Sequence, residues 1–289
     1  LWSISYGTHL ALAYIRQHPD RVARAIMAGV EGPDHTYKLP ANLDRILLRV
    51  DSAMKADEKL RRVVPDFVGE LRAVLAELER EPVRVDFDDP ETGERRTLVL
   101  GADDLRSGVF SELGEREDIV ELPARFIPLM RGKLARAAPF IARDRSGIRE
   151  LAMSLAMDCA SGATAERLAL IQGQARTAIF GDVANRGLRA DCASWPAEDL
   201  GDEYRSPVRS DAPVLFISGS LDIRTPPGNA EEVRLGFPNS HHLVIEGGSH
   251  DDDLFLSSPL ILETMLAFLS GATELPERVT LPPLRFKRP

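Results

Sequence analysis

Residues 1–30 read LWSISYGTHLALAYIRQHPDRVARAIMAGV. Ser5 stands in SISYG with Ser3 two positions before it and Gly7 two positions after it. That small-x-Ser-x-Gly spacing is what a sharp strand-to-helix turn requires, because larger side chains at the outer positions would collide across the turn and hide the hydroxyl. Alone, the same pattern also fits a helix-cap or turn serine. Beyond it, Leu10, Leu12, Ala13 and Ile15 cluster with helical spacing, and Pro19 ends the helix because the residue before a proline disfavours the αR region. VARAIMAGV is a short apolar run closed by Gly29, Glu31 and the Gly32-Pro33 turn signal, which predicts a buried strand. Turn, helix and strand in that order form a right-handed crossover unit of a mostly parallel sheet.

The pattern then breaks off and later resumes. From about residue 34 the chain becomes charged and helical, with Pro65 dividing the first long stretch. PVRVDFDDPETGERRTLVL predicts a small hairpin, and LPARFIPLMRGKLARAAPFIARD, SGIRELAMSLAMDCA and TAERLALIQGQARTAIFG predict further helices. From residue 211, APVLFISGS and SHHLVIEGG are apolar strand runs, the first followed by an amphipathic helix, NAEEVRLGF, and the second by a closing helix, SPLILETMLAFLSG. The division expected is a first core segment 1–33, a helical cap 34–205 and a second core segment 206–289. The proline-rich, basic end, ELPERVTLPPLRFKRP, is expected to drape over the surface.

Bulk composition narrows the function classes. The chain has 289 residues, 44% of them hydrophobic and 28% charged, so it can bury a sizeable core. A net charge of -9 with both signs interspersed argues against nucleic acid as a partner. No apolar run approaches the length of about 18 residues that a membrane span needs. Cys159 and Cys192 form no C-x-x-C pair, so no metal site is expected; one disulfide and two free thiols are equally open.

Three loops at predicted strand ends carry complementary chemistry. The first holds Ser5, the second, LDIRTPP, holds Asp222, and the third, GGSHDDD, holds His250. Serine needs a base to take its proton, and that base needs a carboxylate to fix its tautomer. Ser, Asp, His is also the chain order of α/β-hydrolases, so the expected fold is an α/β-hydrolase fold with a large, mainly helical cap. Glu31 and Asp34 offer an alternative acid after the strand that precedes the cap. His9 reads as structural, His35 as a surface-turn residue, and the acids of DDDLF as carboxylates favoured at a helix start. His241 and His242 are expected on opposite faces of a strand, which separates them as metal ligands.

The segments SYGTHLALAYIRQHPDRV, PVLFISGSLDIRTPPGNAEEV and VIEGGSH resemble the proline iminopeptidase and tripeptidyl-aminopeptidase group of α/β-hydrolases, with CASWP extending the likeness loosely into the cap. The resemblance implies Ser5 as nucleophile, Asp222 as acid, His250 as base and the Tyr6 backbone N–H as an oxyanion donor. It also implies a small peptide or ester substrate, cleavage near a substrate N-terminus through an acyl-enzyme, and no cofactor. A carboxylesterase acting on small esters and an inactive fragment are the rival readings. Family members carry glycine where Ser3 stands, and their amine-binding glutamate soon after a cysteine has Asp158 and Glu166 as its nearest counterparts here. The chain opens without methionine, inside the first site loop. The expectation is therefore a longer protein whose upstream part would supply further strands and the second oxyanion donor.

Overall fold

The computed structural model describes residues 1–89, 92–139, 141–142 and 152–289. The chain begins with helix α1 (Tyr6–Gln17) and strand β2 (Ala25–Ala28) after the Ser5 turn, as expected, and a short strand β1 (Trp2–Ile4) precedes that turn. A long helical excursion follows. It starts with α2 (Pro40–Ala56), α3 (Glu58–Arg61) and α4 (Phe67–Arg80). Besides the break at Pro65 there is one at Asp57, whose side chain accepts from the amides of Lys59 and Leu60 and so caps α3. A hairpin, β3 (Val83–Asp88) and β4 (Arg95–Leu100), comes next; Pro90 and Glu91 of its expected turn lie outside the described residues.

Helices α5 (Ala102–Glu112) and α6 (Arg116–Pro128) lead to a break at Arg131 and Gly132, where the backbone leaves helical angles inside a stretch expected to be helical. The helix expected from SGIRELAMSLAMDCA is seen as α7 (Ala152–Ser161), the residues before it lying outside the described part. The excursion closes with α8 (Ala165–Ala175), α9 (Val183–Cys192) and α10 (Gly201–Arg205). Cys159 of α7 and Cys192 of α9 form a disulfide.

The sheet then resumes with β5 (Val214–Gly219), α11 (Pro227–Arg234), β6 (Ser240–Glu246), α12 (Pro259–Leu269) and β7 (Arg278–Thr280). These strands and the first two form one sheet in the order β1-β2-β5-β6-β7, every pairing parallel. The strand runs lack alternating polarity because both faces are covered. Ala25 and Met27 face Leu12 and Ile15 of α1 and Ala230 of α11, while Ile26 and Ala28 face Ile261, Met265 and Phe268 of α12. The helical excursion has its own apolar core, which includes Leu47, Phe67, Leu71, Val109 and Leu122.

The C-terminal segment corrects the expectation of a draped tail. Arg278–Thr280 pairs with β6 as the edge strand of the sheet, with Val279 buried between two exposed neighbours. An apolar residue flanked by two polar ones is too short a pattern to read as a strand from sequence. The chain then crosses to the helical region: Phe286 is buried in that region's core and the Lys287 amide donates to Val120 O. Phe286→Ala is therefore expected to destabilise the protein by about 3 kcal/mol in urea unfolding. A merely draped tail would lose no more than about 0.5 kcal/mol.

Candidate active site

Ser5 follows directly on β1 with φ 53° and ψ -128°, a conformation that a residue with a side chain adopts only at a cost of about 1–3 kcal/mol. The turn is held on both sides. Ser5 N–H donates to Ala28 O of the neighbouring strand at 3.0 Å, and Ser5 O accepts from the amide and the hydroxyl of Thr8 at 2.9 and 2.6 Å. A Cβ placed on Gly7 would sit 3.6 Å from Ser3 Cβ, an ordinary contact, so the two small residues face each other across the turn as the spacing requires. Tyr6 opens α1, and its N–H, in the first turn, has no acceptor within the helix.

Asp222 and His250 meet in the interior. His250 Nδ1 lies 2.8 Å from Asp222 Oδ2, with both side chains buried. Asp222 Oδ1 accepts from the backbone amides of Arg224 at 2.9 Å and Thr225 at 2.8 Å, and Oδ2 from the Thr225 hydroxyl at 2.6 Å. Burial works against ionisation of Asp222, but its bond to His250, the imidazolium charge and the Thr225 donors outweigh it and hold the carboxyl below the usual range. Burial likewise opposes a charged His250. The hydrogen bond and charge of Asp222, aided by Asp251, prevail and raise its pKa. Among the hydrogen bonds of the described residues, none joins Ser5 Oγ to the imidazole; Asp251 Oδ1 lies 3.7 Å from His250 Nε2.

Two glycines let these loops converge. Gly29, at φ 54°, ends β2 against the imidazole: a Cβ there would lie 2.8 Å from His250 Cε1 and 2.9 Å from Thr225 Oγ1. A Cβ on Gly219 would lie 2.2 Å from Ser249 O, closing the passage through which the His250 loop runs past the end of β5.

The other sequence-singled residues have definite places. Asp34 receives both the amide and the hydroxyl of Thr164, the residue capping α8, and Glu31 pairs with Lys38, so neither meets His250 as an alternative acid. His35, expected in a surface turn, is instead buried: its Nδ1 accepts from Gly32 N–H and its Nε2 lies 3.2 Å from Glu232. That imidazole helps draw the Glu232 pKa down to about 2. His9 is buried between the rings of Tyr6 and Tyr204, and burial lowers its pKa to about 4. His242 is buried between Glu231 and Ser218, whereas His241 bonds Leu275 O. The acids of DDDLF do more than favour a helix start: Asp253 receives the amide and hydroxyl of Ser249, and Asp251 pairs with Arg224. Among the described residues no cluster has the makings of a metal site, and no helix is long and apolar enough to cross a membrane.

Around Tyr6 the structure gathers groups that the sequence left scattered. Its hydroxyl lies 3.2 Å from Ser161 Oγ. Burial raises the Tyr6 pKa, and the negative charges of Asp158 and Glu31 add to the rise. Asp158 also acts on Tyr37 in the same sense. Glu166 is exposed in the first turn of α8, where a carboxylate complements the free N–H groups. Thr225, Ser161 and Tyr204 were not anticipated. Of these only Thr225 had a local signal, a hydroxyl three residues after an aspartate and directly before Pro226.

An all-parallel sheet, a strained serine between strand and helix, and a buried aspartate–histidine pair on later strand ends together define the α/β-hydrolase fold. Within that superfamily, residues 177–280 match the family described as TAP-like protein. No match is found among the curated proteins. Similar solved structures include a serine hydrolase from the polyaromatic-hydrocarbon-degrading bacterium Cycloclasticus zankles (14% identity, 93% of this chain and 63% of that one, TM-score 0.36). An α/β-hydrolase enzyme from a Medee basin deep-sea metagenome library is 13% identical over 95% of this chain and 66% of that one, with a TM-score of 0.33. A thermophilic esterase from Thermogutta terrifontis is 15% identical over 95% of this chain and 65% of that one, with a TM-score of 0.32. The chain thus spans between 63% and 66% of the length of these three proteins.

The opposite shifts of Asp222 and His250 fix a pH window. The histidine's contribution to stability is complete below its ordinary value of 6.5 and is lost as pH rises through its raised folded value. The aspartate's is complete above its ordinary 3.8 and is lost as pH falls through its lowered folded value. Urea unfolding of the protein and of Asp222→Asn should therefore differ most between pH 3.8 and 6.5 and converge on either side. A difference independent of pH would show that the pair is not charged in the folded protein.

Proposed function

We propose that the protein is a serine hydrolase in which Ser5, His250 and Asp222 act together through an acyl-enzyme. The observation that carries this reading is the buried His250–Asp222 bond at 2.8 Å, on the loops that follow β5 and β6, in a sheet where Ser5 ends β1 in a strained turn. In the proposed reaction His250 Nε2 takes the Ser5 proton as Oγ attacks the substrate's acyl carbon. The Tyr6 N–H donates to the resulting oxyanion. His250 then returns the proton to the departing nitrogen or oxygen, and water releases the acyl group by the same steps in reverse order of partners.

The bond cleaved, in our reading, is a peptide or amide bond near a free substrate N-terminus. The likeness of the Ser5, Asp222 and His250 segments to the aminopeptidase group supports this, and so does the carboxylate of Asp158, whose charge reaches Tyr6 beside the nucleophile. Of the two acids near the cap cysteine, Asp158 suits an ammonium partner better than the exposed Glu166. Core segments 1–33 and 206–289 would carry the chemistry, and cap 34–205 would select the substrate. The competing reading is a carboxylesterase for small esters, in which no amine subsite operates.

Steady-state assays on aminoacyl anilides and short acyl esters separate these readings. Ser5→Ala should lower kcat at least about 10³-fold on every substrate that is turned over. Retained turnover would refute the nucleophile assignment. Asp158→Asn should raise KM for substrates with a free amine by about 10-fold or more while leaving blocked esters unchanged. Equal effects on both, or a preference for blocked N-termini, would favour the esterase.

A further inference from the structure

The hydroxyl of Thr225 touches both Asp222 and His250. Its Oγ1 lies 2.6 Å from Asp222 Oδ2 and 3.1 Å from His250 Nδ1, and the residue is 1% exposed. Resting on the Ser5–His250–Asp222 reading, we propose that Thr225 is a positioning residue that fixes which ring nitrogen of His250 carries the proton.

A hydroxyl has one proton to give, and an ionised carboxylate can only accept. The Thr225 proton therefore points to Asp222 Oδ2, and the oxygen's lone pairs face the imidazole. His250 Nδ1 then has two acceptors within reach, Asp222 Oδ2 at 2.8 Å and Thr225 Oγ1 at 3.1 Å, and no donor. A bare Nδ1 would set lone pair against lone pair on both sides in a buried space, which costs far more than a hydrogen bond gains. The proton is held on Nδ1, and the Nε2 lone pair is kept free to act as base.

The surroundings prevent escape from this arrangement. Rotation of the Asp222 carboxylate would break the bonds that Oδ1 receives from the amides of Arg224 and Thr225. Movement of the ring or of Thr225 towards β2 is blocked by the backbone at Gly29, where even a Cβ would fall 2.8 Å from His250 Cε1 and 2.9 Å from Thr225 Oγ1. Thr225 also contributes its own amide, so a single residue supplies one donor to each carboxylate oxygen.

The test combines kinetics with a direct view of the ring. In nitrogen-15 NMR of protein labelled at histidine, above the pKa of His250, the wild type should show a protonated Nδ1 and a bare Nε2. Thr225→Val, which replaces the hydroxyl by a methyl of similar size, should lower kcat about 10- to 100-fold with KM little changed. It should also move the Nδ1 signal and the acidic limb of the pH profile of kcat/KM. Thr225→Ser should restore all three to near wild-type values, and Thr225→Ala makes the same deletion should the valine variant not fold. A proton on Nε2 in the wild type would overturn the inference. So would a hydroxyl-free variant with unchanged kcat, ring signal and pH profile. If Ser5→Ala abolishes turnover while Thr225→Val matches wild type, only the role of Thr225 fails. If Ser5→Ala stays active, the hydrolase reading fails, and the ring signals still report on Thr225 separately.

Discussion

A fully buried carboxylate must be satisfied at every lone pair or be neutralised, and the arrangement at the sheet's carboxyl edge follows from how Asp222 meets that demand. Its four contacts come from His250, from the Thr225 hydroxyl and from two backbone amides of its own loop. The loop can supply those amides only in a tight turn, and the histidine can arrive only if its loop passes close over the end of β5. Gly219 and Gly29 are therefore consequences of the same pair, since any side chain at either would occupy the space that the ion pair's supports need. The serine turn is anchored to this edge through Ala28, the last residue of β2, next to Gly29.

The sheet and the helical excursion are joined at the site as well as by the chain. Leu221 and Ile223, on either side of Asp222, are buried in the apolar core of the helical region, so the acid loop is clamped by the layer above it. Arg224 extends this by pairing with Glu115 on one side and Asp251 on the other. Behind the serine turn, Tyr6 reaches Ser161 on α7, the helix that the Cys159–Cys192 disulfide fastens to α9. Asp34 and His35 tie the stretch that follows β2 to α8 and α11. The helical region is in this way fastened to the strand ends at several separate points.

How much of this was legible in the sequence depends on the range of the interactions involved. Helix α1 and strands β2, β5 and β6 were readable because apolar runs, bounded by glycine, proline and acidic turns, carry their own boundary marks. The meeting of Asp222 and His250 was readable because strand ends are where loops converge in a parallel sheet. The edge strand at Val279 was not, since its three residues gain strand geometry only from the partner β6. His35 looked like a surface histidine because the Glu232 that pairs with it lies on a distant helix. The neighbours of Tyr6 come from segments around residues 31, 158 and 204, and no local pattern announces such a meeting. The second break at Asp57 was a capping signal present in the sequence but outweighed by the more conspicuous Pro65.

The account stands on one chemical assertion, that Ser5 is activated by His250. It is tested most directly by exposing the protein to a fluorophosphonate, which forms an oxygen–phosphorus bond with an activated serine and releases fluoride, and mapping the adduct by peptide mass spectrometry. The account predicts a stoichiometric adduct on the peptide that contains Ser5, abolished in His250→Gln with the fold retained. An adduct on another serine, or labelling of Ser5 that does not depend on His250, would contradict it.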